Sequence, residues 1–219
     1  MGINNPPEHA GDLPTVIPLF PLASALLLPR GELPLNIFEP RYLAMIEDAL
    51  RTDRMIGMVQ PRAEGAGSSE LHEVGCLGKI TQFAETGDGR LMVTLTGISR
   101  FRVAEELRVL TPYRQCIAAY NEFLQDLDED HEDDDMDRAG VLRTLRNFAE
   151  ANRLKIDWKS IEQTPNEALV NALAMMSPFG PEEKQALLEA VTLKARADVL
   201  IAITEIELAR GSGPSTSLQ

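Results

Sequence analysis

The chain has little that performs chemistry. Only two of its 219 residues are cysteine, Cys76 and Cys116, and only three are histidine, His9, His72 and His131. Both cysteines lie in apolar, strand-like segments, which reads as buried free thiols rather than a disulfide or a metal site. A hydrolase needs a nucleophile, a base and an orienting group. His9 falls in the polar start, His131 in a run of acids, and His72 has only Glu73 beside it. There is no Gly-x-Ser-x-Gly elbow and no GxxxxGK phosphate loop: Gly78-Lys79 is followed by Ile80, and Glu73 stands where the first glycine belongs. No catalytic residue, cofactor or metal ligand is expected.

Long apolar runs are also missing, and none approaches the length that spans a bilayer. The start, MGINNPPEHAGDLP, has neither a basic region nor an apolar one, so no secretory signal is read. Gly2 would suit myristoylation, but Pro6 replaces the Ser or Thr that reaction wants. A cytoplasmic location, away from membranes, is the expectation. Basic charge is scarce as well: the formal net charge is −13, which argues against the electrostatic field that generic nucleic-acid binding uses.

The acidity is concentrated. Asp126 to Asp137, DLDEDHEDDDMD, holds nine acids and no Lys or Arg, leaving 25 acids against 21 bases elsewhere. Asp126, Asp128 and Asp130 have the spacing of a calcium loop, but His131 occupies the position of the sharp turn where Gly is needed. A self-repelling, solvated linker is the simpler reading. A sticky tether for a basic partner is the speculative one.

What remains divides into two halves. Residues 1–12 and 212–219 are polar and read as disordered tails. Residues 13–123 read mostly as strands. Val16 to Phe20 and Ala25 to Leu28 are cut by Pro18, Pro21 and Pro29, which suggests edge strands or strand ends. Leu33 to Phe38 follows. Pro40 fits the first turn of a helix whose buried face carries Leu43, Ile46, Ala49 and Leu50. Met55 to Val59 is a strand, residues 61–70 a loop. A hairpin from Val74 turns at Thr86-Gly87-Asp88-Gly89. Its second strand alternates Leu91, Val93 and Leu95, meets a bulge near Gly97, and keeps parity through Phe101 and Val103. Arg114 to Tyr120 is the last strand. Residues 124–138 form the acidic linker.

Residues 139–211 read as helices. Val141, Leu142, Leu145, Phe148 and Ala149 share one face. Thr164-Pro165-Asn166-Glu167 reads as a capping box opening a helix that stops at Ser177-Pro178. Pro181 starts another, carrying Leu187, Leu188 and Val191. The last, Leu193 to Arg210, is apolar nearly all round between Val199 and Ile203, which predicts a central, buried helix.

Four segments in this order resemble the N-terminal, substrate-binding domain of Lon proteases. They are Ile17 to Leu50, with Phe38-Glu39-Pro40-Arg41-Tyr42 inside it; the glycine-spaced LHEVGCLGKI from Leu71 to Ile80; GRLMVTLTGISRF from Gly89 to Phe101; and EKQALLE from Glu183 to Glu189. The resemblance implies an α+β fold, a PUA-like β-barrel or sheet followed by a helical bundle. It implies capture of unfolded or tagged protein segments, with a separate protease as the partner that cuts them. Lon enzymes continue into an ATPase and a peptidase; this chain looks most like the stand-alone type, a recognition module without an engine.

The expected function is therefore non-enzymatic recognition of peptide segments of client proteins. RNA binding by a PUA-like fold and small-molecule binding, as in cereblon-type proteins, are the alternatives; the charge balance opposes the first. The second relies on a zinc domain built from cysteine pairs, which two isolated cysteines cannot supply. Phe38, Arg41, Tyr42, Met176 and Phe179 are the candidate peptide-binding residues. Arg41 and Tyr42 have a competing reading as the lock of a strand-to-helix corner, and Met175, Met176 and Phe179 one as core packing. Trp158 either caps the helical core or, if exposed, anchors a partner. Any peptide is expected in the cleft between the two halves, or along an exposed strand edge. Oligomeric state is left open.

Overall fold

The computed structural model describes residues 9–62, 70–128 and 135–211. The expectations for most of the two tails, for the loop after Pro61 and for the middle of the acidic run lie outside them. Strands β1 (Val16–Pro21) and β2 (Glu32–Ile37) lead into helix α1 (Pro40–Arg51). Then come β3 (Met55–Val59), β4 (Val74–Glu85), β5 (Leu91–Leu107) and β6 (Arg114–Ala119). A 3-10 segment, Asn121–Leu127, precedes α2 (Arg138–Ala151), α3 (Trp158–Gln163), α4 (Asn166–Met176), α5 (Pro181–Glu189) and α6 (Leu193–Gly211).

The six strands form a mixed sheet in the order β2-β5-β4-β3-β1-β6, and β5 also pairs with β6. Five strands therefore close into a ring, with β2 outside it on β5. The length of β5 makes this possible. Its first part, Leu91 to Thr96, pairs with β2, and its last part, from Arg102, pairs with β6. Of the two proline-based expectations, the edge strand is overturned, because β1 is internal, parallel to β3 and antiparallel to β6, while Pro21 does end the strand. Its prolines still follow the rule about missing donors. Pro18 pairs only with β6 and Pro21 only with β3, so each lies where one neighbour is absent.

Alternation sorts the strand side chains into two cores. Ile17, Leu19, Met55, Val59, Leu77, Phe101 and Cys116 fill the ring. Phe20, Ile56, Met58, Cys76, Val93 and Leu95 face a second cluster shared with Val141, Val170, Leu187, Leu188 and Leu200 of the helices. The register between β4 and β5 skips Ile98 beside Gly97. A bulge of this kind shifts every later side chain to the other face. Phe101 thus shares Val93's parity but not its core, correcting the expectation of one continuous face. The same shift turns Arg100 toward the helices.

Ala25 to Leu28 is not a strand. The segment is buried but runs across the bulge, held by Arg30 N–H to Gly97 O at 2.8 Å and Gly97 N–H to Gly31 O at 2.9 Å. It passes so close that a Cβ on residue 97 would collide with the Leu28 carbonyl. Apolar burial without a ladder looks like a strand in sequence.

The helical half differs in three places. Thr164 ends α3, its hydroxyl on the Ser160 carbonyl at 2.9 Å, so the expected capping box does not form. Val191 lies beyond α5 and is exposed. In α6, Leu200 is buried, but Val199, Ile201 and Ile203 are half-buried and Ala202 exposed, so this helix lies at the margin of the core rather than inside it. The acidic run is anchored at both ends. Asp126 is buried, and Asp137 caps α2 by accepting from Gly140 N–H at 2.8 Å.

Candidate functional site

Helix α5 seats the helical half on the strands. Gln185 donates to the Val74 carbonyl at 3.1 Å, Gln60 donates to Pro181 O at 3.0 Å, and Lys184 Nζ reaches Ser24 O at 2.9 Å. Beside this seat lies a chain of charges that is buried at Arg100 and Asp126 and reaches the surface at Arg30 and Glu167. Arg100 is 2% exposed and grips both oxygens of Asp126, at 2.9 Å and 2.7 Å. Its remaining donors reach the carbonyls of Leu188, Ala190 and Val191, which close α5 and enter α6. Arg30 binds the Asp126 carbonyl at 2.7 Å and pairs with Glu167 of α4. Glu167 is thereby diverted from the N-cap. Asn171 of α4 donates to Pro29 O at 3.1 Å and accepts from Arg196 of α6 at 3.0 Å. These contacts fix α4 against the segment that leads into β2.

The space left between them is a cleft of about 370 Å³. Pro29, Ala168, Ala172, Met175 and Met176 give it apolar walls, and Arg30, Glu32 and Glu167 give it charge. Met176 is 84% exposed there, although it ends a helix with a buried face. Exposed methionine on a concave wall is an adaptable apolar contact. Among the described residues the neighbouring β2 pairs only with β5, so one of its edges faces away from the sheet.

Of the five sequence candidates, only Met176 lines this cleft. Phe179 is buried beyond it, and Tyr42 is buried with its ring 4.3 Å from that of Phe20. Burial is the main reason the Tyr42 phenol is pushed up. Arg41 is exposed, pairs with Glu39 at 2.9 Å, and covers the Tyr42 ring at 4.4 Å. This is the geometry of a locked strand-to-helix corner. Phe38 is 61% exposed, with Arg90 5.9 Å from its ring centre. Trp158 is half-buried under Arg146. Sequence reading missed Arg30, Glu167, Asn171 and Arg196. A signal existed for the last two: each interrupts the apolar face of its helix, next to Val170 and Ala197.

Burial pushes the Cys116 thiol up to about 12 and the Cys76 thiol up as well, so neither is a ready nucleophile. Among the described residues no group of three or more His, Cys, Asp or Glu is placed to hold a metal ion. Nor, among them, is any helix long and apolar enough to cross a membrane.

This α+β arrangement, a closed strand ring with helices seated on one face, is that of solved Lon N-terminal domains. The Lon N-terminal domain protein of Xanthomonas campestris superposes with a TM-score of 0.61 at 23% identity, over 86% of this chain and 98% of that one. The N-terminal domain of the Mycobacterium avium complex Lon protease gives 0.63 at 19% identity, over 87% and 98%. The family model for the substrate-binding domain of ATP-dependent protease La (Lon) matches residues 16–205, and the chain belongs to that family. Curated relatives include Lon protease 2 of Myxococcus xanthus, 29% identical over 198 residues, and the Lon protease of Anaeromyxobacter dehalogenans, 26% identical over 200. Each match covers 87% of this chain but only 23% of the relative.

Proposed function

We propose that the chain is a protein-recognition module that holds extended apolar segments of client proteins and does not itself cut them. The observation that carries this reading is the cleft between β2's lead-in and α4, with Met176 and Met175 on its wall. Its walls are apolar, its rim is charged, and it adjoins a strand edge. An extended chain would use these features through side-chain pockets and main-chain pairing. Membership of a substrate-binding family supports it. In this reading the ring is PUA-like, the strand and helix halves are two subdomains, the setting is cytoplasmic, and a separate protease acts on what is held. The net charge of −13 weighs against nucleic acid as the ligand.

The test is binding of a permanently unfolded, fluorescently labelled model protein, followed by anisotropy. The wild-type chain is expected to bind saturably and with little salt dependence. Met176→Asp and Ala172→Asp, both at exposed positions, are expected to weaken binding at least tenfold while leaving the melting temperature unchanged. Equal binding by both variants, or stronger binding to an RNA control, would overturn the reading.

A further inference from the structure

A second, smaller pocket lies where the 3-10 segment meets the start of α6. Its volume is about 40 Å³, and Arg100, Gln125, Asp126, Glu167, Thr192 and Arg196 contribute to its walls. Arg196 is the unusual member. It is 3% exposed, yet among the described residues it hydrogen-bonds no carboxylate. Its Nε donates to the Leu187 carbonyl at 3.1 Å and its Nη1 to Asn171 Oδ1 at 3.0 Å. Both acceptors are neutral, and Nη2 makes no hydrogen bond among the described residues, although it is not sealed from solvent.

The neighbouring carboxylates are already engaged. Asp126 gives both oxygens to the Arg100 side chain and also accepts from the Arg100 N–H at 2.8 Å. Glu167 gives both to Arg30. The cluster thus holds three guanidinium groups and two carboxylates. Burial, reinforced by the charge of Arg100, pulls the Arg196 pKa down to about 10. The positive end of the 19-residue α6 lies at the same place, with Thr192 Oγ1 capping it by accepting from Ala195 N–H at 3.1 Å. A buried guanidinium with an open donor, beside a helix N-terminus, is built for an anion. A pocket of about 40 Å³ exceeds the roughly 10–15 Å³ that one water needs, enough for a planar three-atom head group but not for a nucleotide.

We infer that this pocket binds a carboxylate, held by Arg196 Nη2 at the mouth of α6. The carboxylate comes either from the C-terminus of a polypeptide or from a small organic acid. The site adjoins the apolar cleft through Glu167, which lines both.

The experiment follows the Arg196 Nε–Hε resonance of the ¹⁵N-labelled full chain, identified by its loss in Arg196→Lys. Sodium acetate is titrated at constant ionic strength maintained with chloride. A hexapeptide with an apolar last residue follows, as free acid and as amide. Acetate is expected to shift the resonance saturably. Thr192→Asp, which keeps a good N-cap but places a carboxylate on the pocket wall, is expected to weaken acetate at least tenfold without lowering the melting temperature. Free acid binding at least tenfold tighter than amide identifies a chain terminus. Acetate binding with no difference between the two peptides identifies a small acid. Either result supports the site. A shift that does not saturate, or that is unchanged in Thr192→Asp, overturns it.

Discussion

Arg100 concentrates the residue-scale energetics. It is buried with Asp126 as its only carboxylate partner among the described residues, and its other donors hold three carbonyls around the turn between α5 and α6. Removing one member of such a pair leaves an uncompensated buried charge, which costs about 3–5 kcal/mol. Asp126→Ala is therefore expected to lower stability by that amount in urea unfolding. The apolar pair Arg100→Met with Asp126→Leu should recover much of the loss, because the desolvation of both charges disappears together. A full loss in the double variant would show that the carbonyl contacts, rather than the charge pair, carry the energy. The sequence places Arg100 and Phe101 at the end of the GRLMVTLTGISRF segment, and both are buried. It hid Asp126, because one engaged acid cannot be told by composition from its solvated neighbours. The same limit applies to the candidate surface residues. Met176 and Phe179 are both apolar and three positions apart, yet one is exposed and the other buried, since exposure there depends on where α4 ends against the strands.

At the scale of elements, local chemistry was legible wherever it acts locally. Proline at the first helical position marks α1 and α5, and the Gly87–Gly89 turn closes the β4–β5 hairpin. Features set by distant partners were not. The Ala25–Leu28 segment has strand composition but spends its backbone groups on a crossing, and Glu167 left its capping role for Arg30. Two glycines separate these cases. Gly89 has φ +84 with no atom near a prospective Cβ, so Gly89→Ala should cost only the left-handed conformation, about 1–2 kcal/mol. Gly97→Ala would drive its Cβ into the Leu28 carbonyl and prise the crossing from β5. A cost of about 3 kcal/mol, the upper part of the overpacking range, is expected for it. Urea midpoints of the two variants, compared at matched slope, check the order; a larger loss for Gly89→Ala would mean that the hairpin turn, not the crossing, anchors the ring.

For the whole molecule, the two cores predict how the fold meets alkali. Cys116 lies in the ring and Cys76 on its helix-facing side, and burial is the leading cause that raises both thiols, Cys116 to about 12. Tyr113 is likewise raised to about 12, first by burial and then by its bond to Asp48, and burial raises Tyr120. In each case the folded chain holds its proton to a higher pH than the unfolded chain does. The stabilisation is complete below the unfolded values, near 9 for a thiol and near 10 for a phenol, and is lost as pH climbs toward the folded ones. Lys184 has the opposite sign: burial lowers its pKa, so shedding its charge offsets part of the loss. Each thiol that ionises only on unfolding removes about 1.4 kcal/mol per pH unit above its unfolded pKa. Between pH 8 and 10 the two together should cost the wild type about 3 kcal/mol. The double variant Cys76→Ala with Cys116→Ala starts less stable, because two buried side chains are shortened. Its stability should nevertheless fall less steeply over that interval, and the difference in slope, read from urea unfolding at successive pH values, isolates the thiols from Lys184 and the tyrosines. Parallel slopes would mean that both thiols reach solvent in the folded state, and that the cores on the two faces of the ring open together at alkaline pH.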